Sequence, residues 1–167
     1  GNYFLEVELD RNPTTLIVGE NGSGKSTVLD ALCFVLFNKP FRQISKGQLI
    51  NSINMGSTVV EIEFIIQKNH FKVIRGMKPT IFEIYCNGRM MNQDANALDT
   101  QKILEQQILK LNYRSFTQVV ILGSSTFVPF MQLRASDRRE VVEDFLDINI
   151  FSLMIFLLKH KVIEVSE

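Results

Sequence analysis

Gly19-Glu20-Asn21-Gly22-Ser23-Gly24-Lys25-Ser26-Thr27 fits the pattern G-x-x-x-x-G-K-[ST], follows the apolar run Thr15-Leu16-Ile17-Val18, and opens a helix-like stretch from Ser26 to Phe37. Strand, loop and helix in that order are the setting in which such a loop binds phosphate. Gly22 and Gly24 have no Cβ and can take left-handed backbone angles, so successive N–H groups can turn inward around an anion. Lys25 would reach the β- and γ-phosphates as a point charge. The Ser26 hydroxyl would complete the coordination of a Mg²⁺ that already prefers phosphate oxygens and water. The positive end of the helix adds to the attraction. Gly19, Asn21, Gly22, Ser23, Gly24, Lys25, Ser26 and Thr27 are therefore expected to bind a nucleoside triphosphate, with Ser26 on Mg²⁺. The plainer reading, a glycine-rich turn between strand and helix, needs neither Lys25 nor Ser26.

The remaining composition sets bounds on this reading. At 167 residues and 46% hydrophobic content the chain can bury one proper core, and two domains would be crowded. Lys plus Arg equals Asp plus Glu, 18 each, so no overall positive field draws in nucleic acid. Any DNA contact must come from a local patch or a partner. Cys33 and Cys86 sit in apolar surroundings without C-x-x-C spacing, which favours buried thiols over a disulfide or a zinc site. No signal peptide is visible, and the most apolar stretch, Ile148 to Leu158, is too short to span a bilayer. The expectation is a cytosolic protein. The chain begins without Met in a strand-like segment and stops inside a helix-like one, which reads as a fragment.

Along the chain, Tyr3 to Leu9 alternates and Thr14 to Val18 is a short apolar run, predicting two strands that lead into the loop. The Ser26–Phe37 helix places Val28, Leu32, Val35 and Leu36 on one face, widened by Leu29, Cys33, Phe34 and Phe37, and should be almost fully buried. Asn38 to Gly56 is a polar connection whose Lys39, Arg42 and Lys46 are either solvated or a small anion or DNA contact. From Ser57 the period becomes two, and the segments to Ile66, Phe71 to Arg75, Thr80 to Cys86 and Arg89 to Met91, with the hairpin signal Asn87-Gly88, predict an antiparallel meander. His70 and His160 lack ligand spacing and read as surface residues. Ala97 to Leu109 predicts a helix, and Val119 to Leu122 a buried strand. Asp137 is a candidate N-cap, with Glu140 as its capping-box partner, for a helix from Arg138 to Leu146 whose Arg138 and Arg139 face solvent. Ile150 to Val165 is apolar around too much of its circumference to stand free, and spans too few heptads to establish a coiled coil.

A phosphate-binding loop alone does not separate small-molecule kinases, GTPases and ABC-type ATPases. Its G-x-N-G-x-G-K-S form, carried by Gly19, Asn21, Gly22, Gly24, Lys25 and Ser26, resembles the SMC and ABC-type ATPases. The Thr58 to Met91 meander looks like the antiparallel arm of their N-terminal lobe. Phe127-Val-Pro-Phe-Met131 followed by RASDRREVVEDFLDI at 134–148 is similar to the segment before the coiled coil in SMC-like repair ATPases of the SbcC type. Within that family, FVLFNKPFRQISKGQLIN at 34–51 and RGMKPTIFEIYCNG at 75–88 resemble most the branch formed by ATPase subunits of T-even phage recombination endonucleases. The resemblance runs from Tyr3 to about Phe151.

The resemblance implies an α/β P-loop fold: residues 1–149 as the N-terminal lobe of an ABC/SMC-type ATPase head, with an antiparallel β-meander, and 150–167 as the start of a helical extension toward a coiled coil. In this family two distant chain segments form one head, and two heads sandwich two ATP molecules and control a nuclease on DNA ends during double-strand-break repair and recombination. The implied partners are the C-terminal half of the same ATPase, a second head in a homodimer, a nuclease subunit of the calcineurin-like phosphoesterase type, and DNA, with no membrane. The cofactors are ATP and Mg²⁺. The signature motif, the Walker B carboxylates and the catalytic glutamate belong to the other half. Losing one charged contributor to phosphoryl transfer costs roughly a thousandfold or more, so this chain alone is expected to bind nucleotide and hydrolyse almost none.

One position departs from the family pattern. There a glutamine directly follows the buried strand, contacts Mg²⁺ and senses the γ-phosphate; here that place holds Ser124, while Gln118 precedes the strand. Either the Ser124 hydroxyl substitutes or the sensor is supplied differently, and Gln118 otherwise reads as a helix-end residue. Three other readings stay open: a RecF- or RecN-like or other SMC ATPase without a nuclease partner; a small-molecule kinase, which needs an arginine-rich lid where this chain is β-rich; and a binding module that assembles through Ile150 to Val165.

Overall fold

The computed structural model describes residues 5–42, 44–49, 56–91, 97–121, 129–146, 154–155 and 157–158. They fall into two compact units, 1–92 and 93–167.

The first unit is a helix on a sheet. Helix α1 (Lys25–Phe37) starts one residue before its predicted beginning. The meander appears as predicted: β1 (Thr58–Ile66), β2 (Asn69–Met77), β3 (Ile81–Cys86) and β4 (Arg89–Met90) form one antiparallel sheet in chain order, with β1 at one edge. The Asn87-Gly88 turn works because both residues take left-handed angles, φ 51° and 77°, which match the twist of the strands they join. The Asn87 side chain also accepts from the His70 N–H at 2.9 Å and donates to Asn69 Oδ1 at 3.0 Å, so one turn fixes its neighbour. Register then puts Ile62, Val73 and Ile84 side by side on the inner face, while Phe64 stacks on Phe71 with ring centres 5.7 Å apart. On the outer face Lys72 lies against Glu61 and Glu63, and His70 lies 3.5 Å from Glu63. His70 is thus an exposed residue of β2, as a surface reading expects; His160 lies outside the described residues.

Helix α1 is buried unevenly. Cys33, Phe34, Val35, Leu36 and Phe37 are buried, whereas its first turns are half or fully exposed, so the expectation of near-complete burial holds only for the C-terminal half. Phe34 alone is worth about 2–3 kcal/mol of transfer from water. Two polar ties fix the helix. Arg75, itself buried, donates from Nε to the Val35 carbonyl at 2.9 Å and lies 3.7 Å above the Phe82 ring. That carbonyl is among the last four of α1, which have no partner inside the helix, and a cation there also suits the helix dipole. Farther up, the fully buried Asp30 accepts from the backbone N–H of Arg42 at 3.0 Å and from its Nε at 2.7 Å. Arg42, left open between solvated loop and anion contact, is thus a tether that brings the connection after α1 back onto the helix. Lys46 opens a 3₁₀ turn over Lys46–Leu49.

The second unit is helical among the described residues. Helix α2 (Ala97–Lys102) runs on as a π-helical stretch, Ile103–Leu109, together covering the helix predicted from Ala97 to Leu109. Helix α3 (Tyr113–Val119) follows, and then α4 (Ala135–Phe145) after a 3₁₀ turn at Phe130–Gln132. Leu104, Ile108, Phe116, Ile121 and Val141 are the buried apolar residues.

Three expectations are corrected. Residues 5–18 form no strand, and Leu16 and Val18 are 84% and 80% exposed. A strand exists only as part of a ladder, and no hydrogen-bonded ladder reaches this segment; Tyr3 and Phe4 lie outside the described residues. Val119 closes α3 and Val120 caps it, both exposed, instead of beginning a buried strand; only Ile121 is buried, and Leu122 lies outside the described residues. The signal passed over is Asn112, whose side chain accepts from the Ser115 N–H at 2.9 Å and starts a helix that outweighs the β-propensity of the valines. Asp137 is not an N-cap: α4 begins two residues before it behind Arg134, and Asp137 and Glu140 both pair with Arg114 instead of closing a capping box. Arg138 donates to the Met131 and Leu133 carbonyls, so only Arg139 faces solvent freely. In the tail, Met154, Ile155, Leu157 and Leu158 are helical and exposed; the rest of Ile150 to Val165 lies outside the described residues.

Replacing Arg42 by Ala would leave the Asp30 carboxylate buried without its cation. Because Arg42 is half exposed, the expected loss is about 2–3 kcal/mol, below that of a fully buried pair. It should be read as a lower urea midpoint at unchanged slope. Cys33 gives a pH test. Burial first, and the nearby Asp30 charge second, push its thiol up to about 12. In the unfolded chain the thiol ionises from about 8.5, so between these values the unfolded state binds fewer protons and stability falls as pH rises. Urea titrations of the parent and Cys33→Ala at pH 8 and pH 10.5 should show the parent losing stability relative to the variant; parallel behaviour would remove the assignment.

Candidate functional site

The loop between the exposed 14–18 segment and α1 carries the residues singled out from sequence. Gly22 and Gly24 have φ of 87° and 93°, angles that residues with a Cβ rarely adopt. Gly19 is constrained otherwise: a Cβ there would stand 2.5 Å from Ser23 Oγ, so the loop closes against its own first residue. The Ser23 N–H donates to the Glu20 carbonyl at 3.2 Å, which folds Glu20 to Ser23 into a turn.

Lys25 crosses the loop. Its ammonium donates to the carbonyls of Gly19 at 2.7 Å and Glu20 at 2.6 Å, bracing the rim from inside. Ser26 and Thr27 lie exposed on the first turn of α1, and the Thr27 N–H reaches back to the Gly24 carbonyl at 2.9 Å. The helix start has neither a side-chain cap nor an acidic residue in its first turn. The first N–H groups of a helix have no partner inside it, and elsewhere a Ser, Asp or carboxylate would satisfy them. Here the Thr27 N–H turns back to the Gly24 carbonyl, and no side chain caps the earlier ones at the positive end of the dipole. That donor set suits an anion such as a phosphate group.

The other candidates are less close-knit. Gln118 lies near the end of α3 in the second unit, half-buried, with Oε1 buried and without a hydrogen-bond partner among the described residues. Ser124 lies outside the described residues. Among the described residues no group of three His, Cys, Asp or Glu side chains could hold a metal ion, so a divalent cation at the loop would rest on the Ser26 hydroxyl and on oxygens of its ligand. No helix among them is long and apolar enough to cross a membrane. Sequence reasoning missed the two tethers of α1, Asp30–Arg42 and Arg75–Val35, because both join residues far apart in the chain and neither has a local signature.

Residues 3–155 match the family model described as AAA domain. The chain is 42% identical over 154 residues to "Exonuclease subunit 2" of Enterobacteria phage T4, a match that covers 92% of this chain and 27% of that protein. It is 29% identical over 136 residues to the "DNA double-strand break repair Rad50 ATPase" of Methanococcus maripaludis, covering 80% of this chain and 13% of the relative. It is 26% identical over 181 residues to the SbcC component of the nuclease SbcCD of Pseudomonas aeruginosa, covering 88% and 15%. The chain thus spans between about an eighth and somewhat over a quarter of the curated relatives it matches. The resemblance read from the sequence, to SbcC-type ATPases and most of all to their phage branch, is borne out.

Proposed function

The chain belongs to the AAA domain family, and from that premise we propose that it is the ATP-binding first part of an SMC-like ATPase that controls a partner nuclease in DNA double-strand-break repair and recombination. The observation that carries the reading is the loop Gly19–Thr27: two glycines at φ near 90° ahead of an uncapped, acid-free helix start, with one lysine inside the curve. Gly19, Asn21, Gly22, Ser23, Gly24, Lys25, Ser26 and Thr27 surround the phosphates in this reading. Lys25 holds two neutral carbonyls in the loop, and exchanging them for anionic oxygens replaces hydrogen bonds charged on the donor alone by ones charged on both partners. Ser26 supplies a hydroxyl to Mg²⁺, which when bound neutralises phosphate charge.

The finer architecture belongs to the same proposal. Residues 1–149 act as the N-terminal lobe of an ABC/SMC-type head and 150–167 begin a helical extension. The rest of the ATPase, a second head, a nuclease of the calcineurin-like phosphoesterase type and DNA are the partners. The names of the relatives support this: an exonuclease subunit, a break-repair ATPase and a nuclease component share this stretch of sequence. Hydrolysis requires groups beyond this loop, since phosphoryl transfer draws on positioned charge from several elements.

The test is ATP affinity of the full-length protein with Mg²⁺ present, by calorimetry. Lys25→Ala is expected to weaken binding about 10- to 100-fold, the worth of a charged hydrogen-bonding group. Ser26→Ala should remove most of the dependence of affinity on Mg²⁺. Affinity unchanged by Lys25→Ala would end the nucleotide reading. Intact ATP binding with no nuclease co-purifying from the native host would end the nuclease part alone.

A further inference from the structure

In the second unit the acidic face of α4 is taken up by α3. Asp137, Glu140 and Asp144 recur at i, i+3 and i+7, hence along one side of the helix. Asn112 Nδ2 donates to Glu140 Oε1 at 2.6 Å, and Arg114 Nη1 donates to Asp137 Oδ1 at 2.6 Å and to Glu140 Oε2 at 2.9 Å. The buried Ser115 donates from Oγ to Asp144 Oδ2 at 2.7 Å, and the Asn112 N–H reaches the same oxygen at 3.3 Å.

Asp144 is the informative member. It lies in the last turn of α4, where the negative end of the helix dipole disfavours a carboxylate. Its partners stand at the N-terminal end of α3, where the dipole favours one. An acid misplaced on its own helix thus serves as a cap for the neighbouring helix. Four residues beyond Arg114, Gln118 adds the opposite kind of feature: its Oε1 is buried without a donor, a position that disfavours the present placement of α3.

We propose that α3 and α4 form one rigid lever, with Asp144 and Arg114 as positioning residues and Gln118 at its loaded end. The polar clamp carries any displacement of α3 to α4, and Gln118 Oε1, with no donor among the described residues, is the group such a displacement would relieve. The clamp does not depend on the nucleotide reading, because every group in it lies in the second unit.

Spin labels at the exposed positions Val120 and Arg139, in full-length protein with its native cysteines replaced, report the distance between the helices by electron paramagnetic resonance. The parent should give a single narrow distribution. Arg114→Ala and Asp144→Ala should each at least double its width, while Asp144→Asn, whose amide oxygen still accepts from Asn112 and Ser115, should keep it narrow. A broad parent distribution, or a narrow one in both alanine variants, overturns the lever. Gln118→Met keeps the bulk and removes the unpaired amide, so the melting temperature should rise by about 2 °C or more. A fall would show that the oxygen is paired in solution and would overturn its place at the loaded end.

Discussion

Helix α1 has to satisfy opposite demands at its two ends, and the first unit is built around that conflict. Apart from the Thr27 N–H, which bonds the Gly24 carbonyl, its N-terminal turn has no side-chain cap and no acid for its N–H groups, which is costly for a helix on its own. Its C-terminal turns are buried as deeply as any part of the chain. Burial at one end holds the open end in place. Arg75 completes the arrangement by taking a leftover carbonyl at the buried end, and Asp30 by drawing the chain after the helix back through Arg42. An exposed donor set is useful to an anion only if it does not collapse onto its own side chains, and here the Lys25 ammonium spends its hydrogen bonds on the Gly19 and Glu20 carbonyls.

Local signals were legible where the chemistry is local. The loop could be read because glycine, lysine and serine at that spacing answer to one ligand chemistry, and the meander because alternation, Asn87-Gly88 and strand length agree with one another. The strands expected at Tyr3 to Leu9 and Thr14 to Val18 were not legible, since alternation reports a preference for a sheet and says nothing of whether a neighbouring strand is present. Val119 to Leu122 misled for a related reason: its valines suit a strand, yet the cap at Asn112 and the burial of Phe116 decide the local geometry. Asp137 looked like a helix start because acids cluster there in general; its partner Arg114 lies 23 residues back.

The two units differ in how they are held. The first relies on a wide apolar inner face with a few polar ties at the ends of α1. The second has fewer buried apolar residues among those described, and joins α3 to α4 by setting Asn112, Arg114 and Ser115 against Asp137, Glu140 and Asp144. Hydrogen bonds add directional requirements that apolar contacts do not have.

Strand β1 has a neighbour on one side only among the described residues, nine residues long and without a proline or a bulge to interrupt it. A flat edge of that length is a template on which another chain can add itself. Glu61 and Glu63 change the outcome for identical chains. In an antiparallel pairing of two such edges they would be brought against their own counterparts, and like charges opposed across strands are repelled. The side chains that hold Lys72 on the face of the sheet therefore also discourage two copies from pairing through this edge, while leaving it open to a strand of different charge.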